Sequence, residues 1–230
     1  MNISLEHKII WISPERTGGE VIEDLFKKNS FFTCEKKNNY QLISLKDSQH
    51  STSIDFYPKY DDFKIITTIR NPYDRVWSCY LKYYTKTFNP KDFESTKIKF
   101  NDYINKTFIE TTNGVRLDSF YDKDSHFSKW TFNEIKPNYI IKFEDFNYGL
   151  KLLPISVEIG NTQSLLIQKY PNDNLIPFNM IYDYNSAKKI YQFYKNVFLL
   201  FDYSPYSFTK NELNDLEKIK FIHNYNKITN

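Results

Sequence analysis

Arg70 and Ser78 stand eight residues apart in Thr67-Thr68-Ile69-Arg70-Asn71-Pro72-Tyr73-Asp74-Arg75-Val76-Trp77-Ser78. A guanidinium and a hydroxyl at that spacing can bind one phosphate when a strand-to-helix turn lies between them. Phe63 to Ile69 reads as a buried strand, β-branched and apolar without a breaker. Asn71 is a good N-cap, and Pro72 falls at the first helical position, where a missing N–H costs nothing. Arg70 is therefore expected at the carboxyl end of a strand, where open α/β sheets bind ligands, and Ser78 on the second turn of the helix that follows. Singly, each residue has a plainer role: Arg70 paired with a carboxylate such as Asp74, Ser78 a small residue in a packed helix.

The string as a whole resembles the 3'-phosphate-binding segment of sulfotransferases that use 3'-phosphoadenosine 5'-phosphosulfate (PAPS), particularly the carbohydrate-type branch. That pattern is an apolar strand, Arg-Asn-Pro-Tyr-Asp-Arg, and a Ser two residues after the next apolar position. The resemblance implies that Arg70 and Ser78 bind the 3'-phosphate of the nucleotide.

A second anion site is expected near the start of the chain. His7 to Ser13 reads as the first strand, and it runs into Pro14-Glu15-Arg16-Thr17-Gly18-Gly19 and then a helical pattern with Val21, Ile22, Leu25 and Phe26 on one face. A glycine loop between strand and helix offers backbone N–H groups and the positive end of a helix dipole to a phosphate. Without G-x-x-x-x-G-K-[ST] it is not a Walker A loop, and a plain tight turn is its structural alternative. The loop resembles the 5'-phosphosulfate loop of sulfotransferases, Pro-Lys-Thr-Gly-Gly-Thr-Ser. Alignment on Thr17-Gly18-Gly19 puts Arg16 at the family's Lys and Glu20 and Val21 at its hydroxyl residues. The resemblance thus implies a cofactor-binding stretch of Arg16, Thr17, Gly18, Gly19, Glu20 and Val21, with Arg16 also neutralising the departing phosphate. Glu20 beside a phosphate would repel it by about 1 to 4 kcal/mol. The alternative is that Glu20 turns outward in the first helical turn, where the dipole favours an acid.

Transfer of a sulfuryl group to an alcohol needs a base, and a His near neutrality suits it. Of His7, His50, His126 and His223, His50 in Lys46-Asp47-Ser48-Gln49-His50-Ser51-Thr52 resembles the His-Ser/Thr segment that precedes the 3'-phosphate motif. It is assigned as the catalytic base. His126, in Asp124-Ser125-His126-Phe127, stands ahead of Lys129-Trp130 where the family has Pro-Gln, and reads as packing; Arg116 reads as a surface residue. Tyr139 to Phe143 reads as a further strand, with Glu144 and Asp145 capping the helix after it. Ile190, Phe193, Tyr194, Val197, Phe198 and Phe201 follow the spacing of a buried helix face. A final helix is expected to open at a capping box of Thr209 and Glu212.

The remaining composition limits the alternatives. A chain of 230 residues with 40% apolar content can bury one sizeable core, and no linker or internal repeat divides it, so residues 1–230 are expected to form one sulfotransferase-like domain. The aromatic share of 18%, together with abundant Lys, Asn and Ile, reflects A/T-rich coding rather than a stacking surface. A net charge of +3 suits a small anionic ligand better than a nucleic-acid backbone. Cys34 and Cys79 lack metal or redox spacing and read as free thiols of a reducing compartment. No signal peptide or run of roughly 20 apolar residues is present, so a cytoplasmic protein with no membrane span is expected.

The expected architecture is an α/β, P-loop-like three-layer domain with a largely parallel central sheet flanked by helices. The resemblance implies a PAPS-dependent sulfotransferase acting on an acceptor hydroxyl, with a glycan as first choice and no metal. Two alternatives remain: a non-catalytic nucleotide-binding relative, motivated by departures from the family pattern at Glu20, Val21, Trp130 and Val197, the last standing where the family's closing helix has Asp, and a nucleotide-dependent kinase or hydrolase. The acceptor loops are expected between Lys82 and Asp124.

Overall fold

Apolar runs near residues 9, 65 and 140 become three neighbouring parallel strands in the structure, a computed structural model. It describes residues 2–4, 7–12, 14–28, 62–84, 92–112, 114–118, 137–155, 176–211, 213–214, 218 and 221. In chain order the elements begin with β1 (Asn2–Ser4), β2 (Ile9–Ile12), α1 (Gly19–Lys28), β3 (Lys64–Ile69), α2 (Pro72–Tyr83) and α3 (Phe93–Thr107). They continue with β4 (Phe108–Thr111), β5 (Gly114–Leu117), β6 (Tyr139–Lys142), α4 (Phe146–Lys151), α5 (Tyr184–Phe193) and α6 (Lys195–Leu200). By internal contacts the chain divides into two compact units, Met1–Arg70 with Trp130–Pro171, and Asn71–Lys129 with Asn172–Asn230.

The first unit is built on a four-stranded sheet in the order β1-β2-β3-β6. β1 is antiparallel to β2, whereas β2, β3 and β6 run parallel. The register sets Trp11 beside Ile66 and Thr68 beside Ile141. Ile9, Trp11, Ile66 and Ile141 consequently share one face, where they pack with Val21, Ile22 and Leu25 of α1 and Phe146 and Leu150 of α4. Each such side chain contributes roughly 1.5–3 kcal/mol by burial, so this surface is core. Ile10, Ile65, Thr67 and Ile69 on the opposite face are buried too, as expected for strands that read as continuous apolar runs. α4 approaches β6 closely at Gly149, where a Cβ would stand 2.9 Å from Ile141 Cγ2 and 3.0 Å from its Cα. The α/β class and the parallel sheet agree with the sequence reading; the Phe26 side chain lies outside the described residues.

In the second unit α2 starts as expected. Asn71 is its N-cap, its Oδ1 accepts from Tyr73 N at 3.0 Å, and Pro72 follows as the first helical residue. The aromatic surplus goes into packing: Trp77 meets Phe100 edge-on at 5.1 Å, and Tyr73 does the same to Tyr182 at 5.2 Å. Tyr182 donates its hydroxyl to Tyr73 O at 2.7 Å, and Tyr73 donates to Pro205 O at 2.8 Å. Burial pushes both phenols well above the ordinary Tyr range, so both remain neutral donors. Asn101 joins α3 to α5, because its Nδ2 donates to Ile181 O at 2.8 Å while its Oδ1 accepts from Asp183 N and from the Ser186 hydroxyl. β4 and β5 form an antiparallel hairpin, and Arg116 is exposed on it.

Two local expectations need correction. The helix expected through Ile190 to Phe198 is interrupted at Tyr194, whose N–H donates to Ile190 O at 2.9 Å while its carbonyl accepts from Val197 N at 2.8 Å. Tyr194 ends one helix and opens the next, with its hydroxyl accepting from Arg75 Nη1 at 3.1 Å. The six apolar positions are all buried despite the break. Asp145 occupies the N-cap of α4 without making a side-chain cap bond, so it does not cap that helix by hydrogen bonding; Glu144 beside it is exposed. Thr209 Oγ1 accepts from Asn211 N at 3.1 Å, while Glu212 lies outside the described residues. Cys79 is a buried free thiol; Cys34 lies outside the described residues. No helix among the described residues is long and apolar enough to cross a membrane.

Candidate anion site

The parallel pairing of β2, β3 and β6 brings three loops to one edge of the first unit's sheet, the carboxyl edge at which α/β sheets bind ligands. β2 leads into residues 14–18 and then α1, β3 runs out into Arg70, and β6 runs out into Phe143. The last register pair of β3 and β6 is Ile69 with Lys142. Arg70 and Phe143 are therefore the next residues out on neighbouring strands. The Arg70 guanidinium lies over the Phe143 ring, 4.0 Å from its centre, and Nη1 donates to Arg16 O at 3.2 Å.

The loop after β2 has an unusual backbone. Arg16 has φ 61° and Gly18 φ 90°, the left-handed region that glycine adopts freely and arginine at a cost. Such alternation can turn successive N–H groups inward to form an anion concavity. Gly18 O accepts from Val21 N at 3.1 Å and Ile22 N at 3.2 Å, which opens the ten-residue α1 directly behind the loop. A Cβ on Gly18 would meet Phe146 Cε2 at 2.6 Å and Phe143 Cδ2 at 3.2 Å, so the loop sits against both rings of the β6–α4 junction.

Thr17 braces the loop from below. Its Oγ1 donates to Pro14 O at 2.6 Å, and with that proton committed, Thr68 Oγ1 is the donor in the 2.6 Å contact between the two hydroxyls. Thr17 is wholly buried and ties the loop to the central strand. Val21, expected with the loop, puts its side chain into the core and its N–H onto Gly18 O. Glu20 is exposed in the first turn of α1, the outward arrangement left open by the sequence. Arg16 and Gly19 are buried in the loop and at the start of α1.

The structure thus brings Arg70 together with the Arg16–Gly18 backbone inside one unit. Ser78 is buried on the second turn of α2, as its spacing predicts, and belongs to the second unit. His50, His126 and His223 lie outside the described residues. Sequence reasoning missed Phe143 and Thr68. Only the strand register reveals them, and their placement one residue beyond the last β6 pair and opposite Ile141 was not visible from either strand alone. No group of His, Cys, Asp and Glu suited to a metal ion occurs among the described residues.

Comparison of the chain with protein-family models, with curated proteins and with solved structures finds no match. The sulfotransferase resemblance therefore rests on the motifs quoted above.

Proposed function

We propose that the chain binds a 3',5'-bisphosphorylated adenosine nucleotide at this edge and transfers a sulfuryl group from PAPS to an acceptor hydroxyl, with a glycan as the acceptor class. The observation that carries this reading is the bond from Arg70 to the Arg16 carbonyl, which unites two stretches that sequence separately marked as phosphate-binding. On this reading the small parallel sheet is the centre of a P-loop-like three-layer fold.

The donor set fits such a nucleotide in kind. It comprises two arginines, a glycine loop with left-handed residues, and the N-terminus of a ten-residue helix with its acid turned to solvent. When bound, PAPS supplies the sulfuryl group. Arg16 and the N–H groups around Gly18 and Gly19 neutralise the 5'-phosphate, and this positioning and charge stabilisation provide most of the rate. Arg70 holds the 3'-phosphate. His50 removes the proton of the acceptor hydroxyl.

Turnover tests the proposal. The purified protein is incubated with PAPS and a panel of glycans, and adenosine 3',5'-bisphosphate is quantified together with sulfated product. Acceptor-dependent release is expected, and His50→Gln should lower it by roughly a hundredfold or more. Tight nucleotide binding without turnover on any acceptor would overturn the enzymatic part and leave a binding module. Preference for ATP with Mg²⁺ would instead favour a kinase.

A further inference from the structure

We infer that Phe143 is a positioning residue for nucleotide discrimination: its ring fixes the plane of the Arg70 guanidinium and supports the Gly18 loop. The inference rests on the proposed nucleotide reading. A guanidinium donates only in its own plane, so a ring 4.0 Å from its carbon restricts tilt without itself occupying an in-plane donor. One of those donors, Nη1, already reaches Arg16 O at 3.2 Å. The same ring would stand 3.2 Å from a Cβ on Gly18, and Phe146, whose ring meets it edge-on at 6.4 Å, would approach that Cβ to 2.6 Å. Phe143 therefore touches both halves of the site without offering a polar atom to either.

Its position follows from the sheet. β3 and β6 pair in parallel through Ile69 and Lys142, so the residues after them leave side by side. The chain turns into a single 3-10 turn at Phe143, which places the ring at the strand end rather than in the ladder. An aliphatic residue there can fill volume but lacks the negative π face that attracts a cation.

The test separates positioning from packing. Adenosine 3',5'-bisphosphate and adenosine 5'-phosphate are titrated calorimetrically into wild type, Phe143→Leu and Phe143→Tyr, with thermal unfolding of each variant recorded alongside. Phe143→Leu is expected to weaken the bisphosphate by roughly five- to thirtyfold, the span of a desolvated cation–π contact, with a smaller change for the monophosphate. Phe143→Tyr, which keeps the ring, should restore the wild-type ratio. A wild-type ratio in a folded Phe143→Leu would overturn the inference and leave the nucleotide reading intact. If wild type bound neither nucleotide, the reading itself would fall and the inference with it.

Discussion

Arg70→Ala is expected to weaken adenosine 3',5'-bisphosphate by roughly ten- to 150-fold, corresponding to the 1.5–3 kcal/mol typical of hydrogen bonds to charged groups. Adenosine 5'-phosphate should lose much less. Arg70 is only 1% exposed, so a phosphate must displace part of what covers it, and the Arg16 carbonyl is one such partner. That contact also defines the contrary outcome. If Arg70 serves only to hold the loop through Arg16 O, both nucleotides lose affinity equally, and the 3'-phosphate assignment fails. Arg70→Lys is informative beside it, because an ammonium keeps the charge but not the planar fork that stacks on Phe143 and donates in two directions. It should recover only part of the loss.

Gly18→Ala should cost roughly 2–5 kcal/mol of folding stability. Two independent terms give that range. At φ 90° an alanine carries the left-handed penalty of about 1–2 kcal/mol, and its Cβ would approach Phe146 Cε2 to 2.6 Å, which demands repacking worth about 1–3 kcal/mol. Phe146 is buried in the core cluster with Ile66 and Ile141, so its ring has little room to yield. Urea denaturation of wild type and variant measures the difference. A change below about 0.5 kcal/mol, the range of surface substitutions, would mean that the loop does not hold Gly18 against Phe146.

How much of this was legible depended on whether a signal was local. The end of β3, the Asn71 cap and the Pro72 start of α2 were readable because each is decided by the residue's own backbone preference or donor count. The strand-loop-helix at residues 9–28 was readable for the same reason, and the left-handed Gly18 fits a glycine pair after an apolar run. The uses of Thr17 and Phe143 were not. A hydroxyl in a phosphate-like loop gives no sign that Thr68, on a strand about fifty residues away, will take it up. Phe143 likewise read as the last residue of a strand. Its partner is set by the Ile69–Lys142 register, which is a property of the sheet. The break at Tyr194 was hidden by apolar spacing that persists across it. His50 came from its flanking motif alone and lies outside the described residues.

Calorimetric titration of the purified protein with adenosine 3',5'-bisphosphate, beside ADP and ATP with Mg²⁺, decides whether this sheet edge is a bisphosphate-nucleotide site. Saturable binding of the 3',5'-bisphosphate is expected, with much weaker binding of the other two, because only that ligand presents phosphates to both Arg70 and the Arg16–Gly19 loop. Equal affinity for all three, or no binding of the bisphosphate, would contradict that assignment.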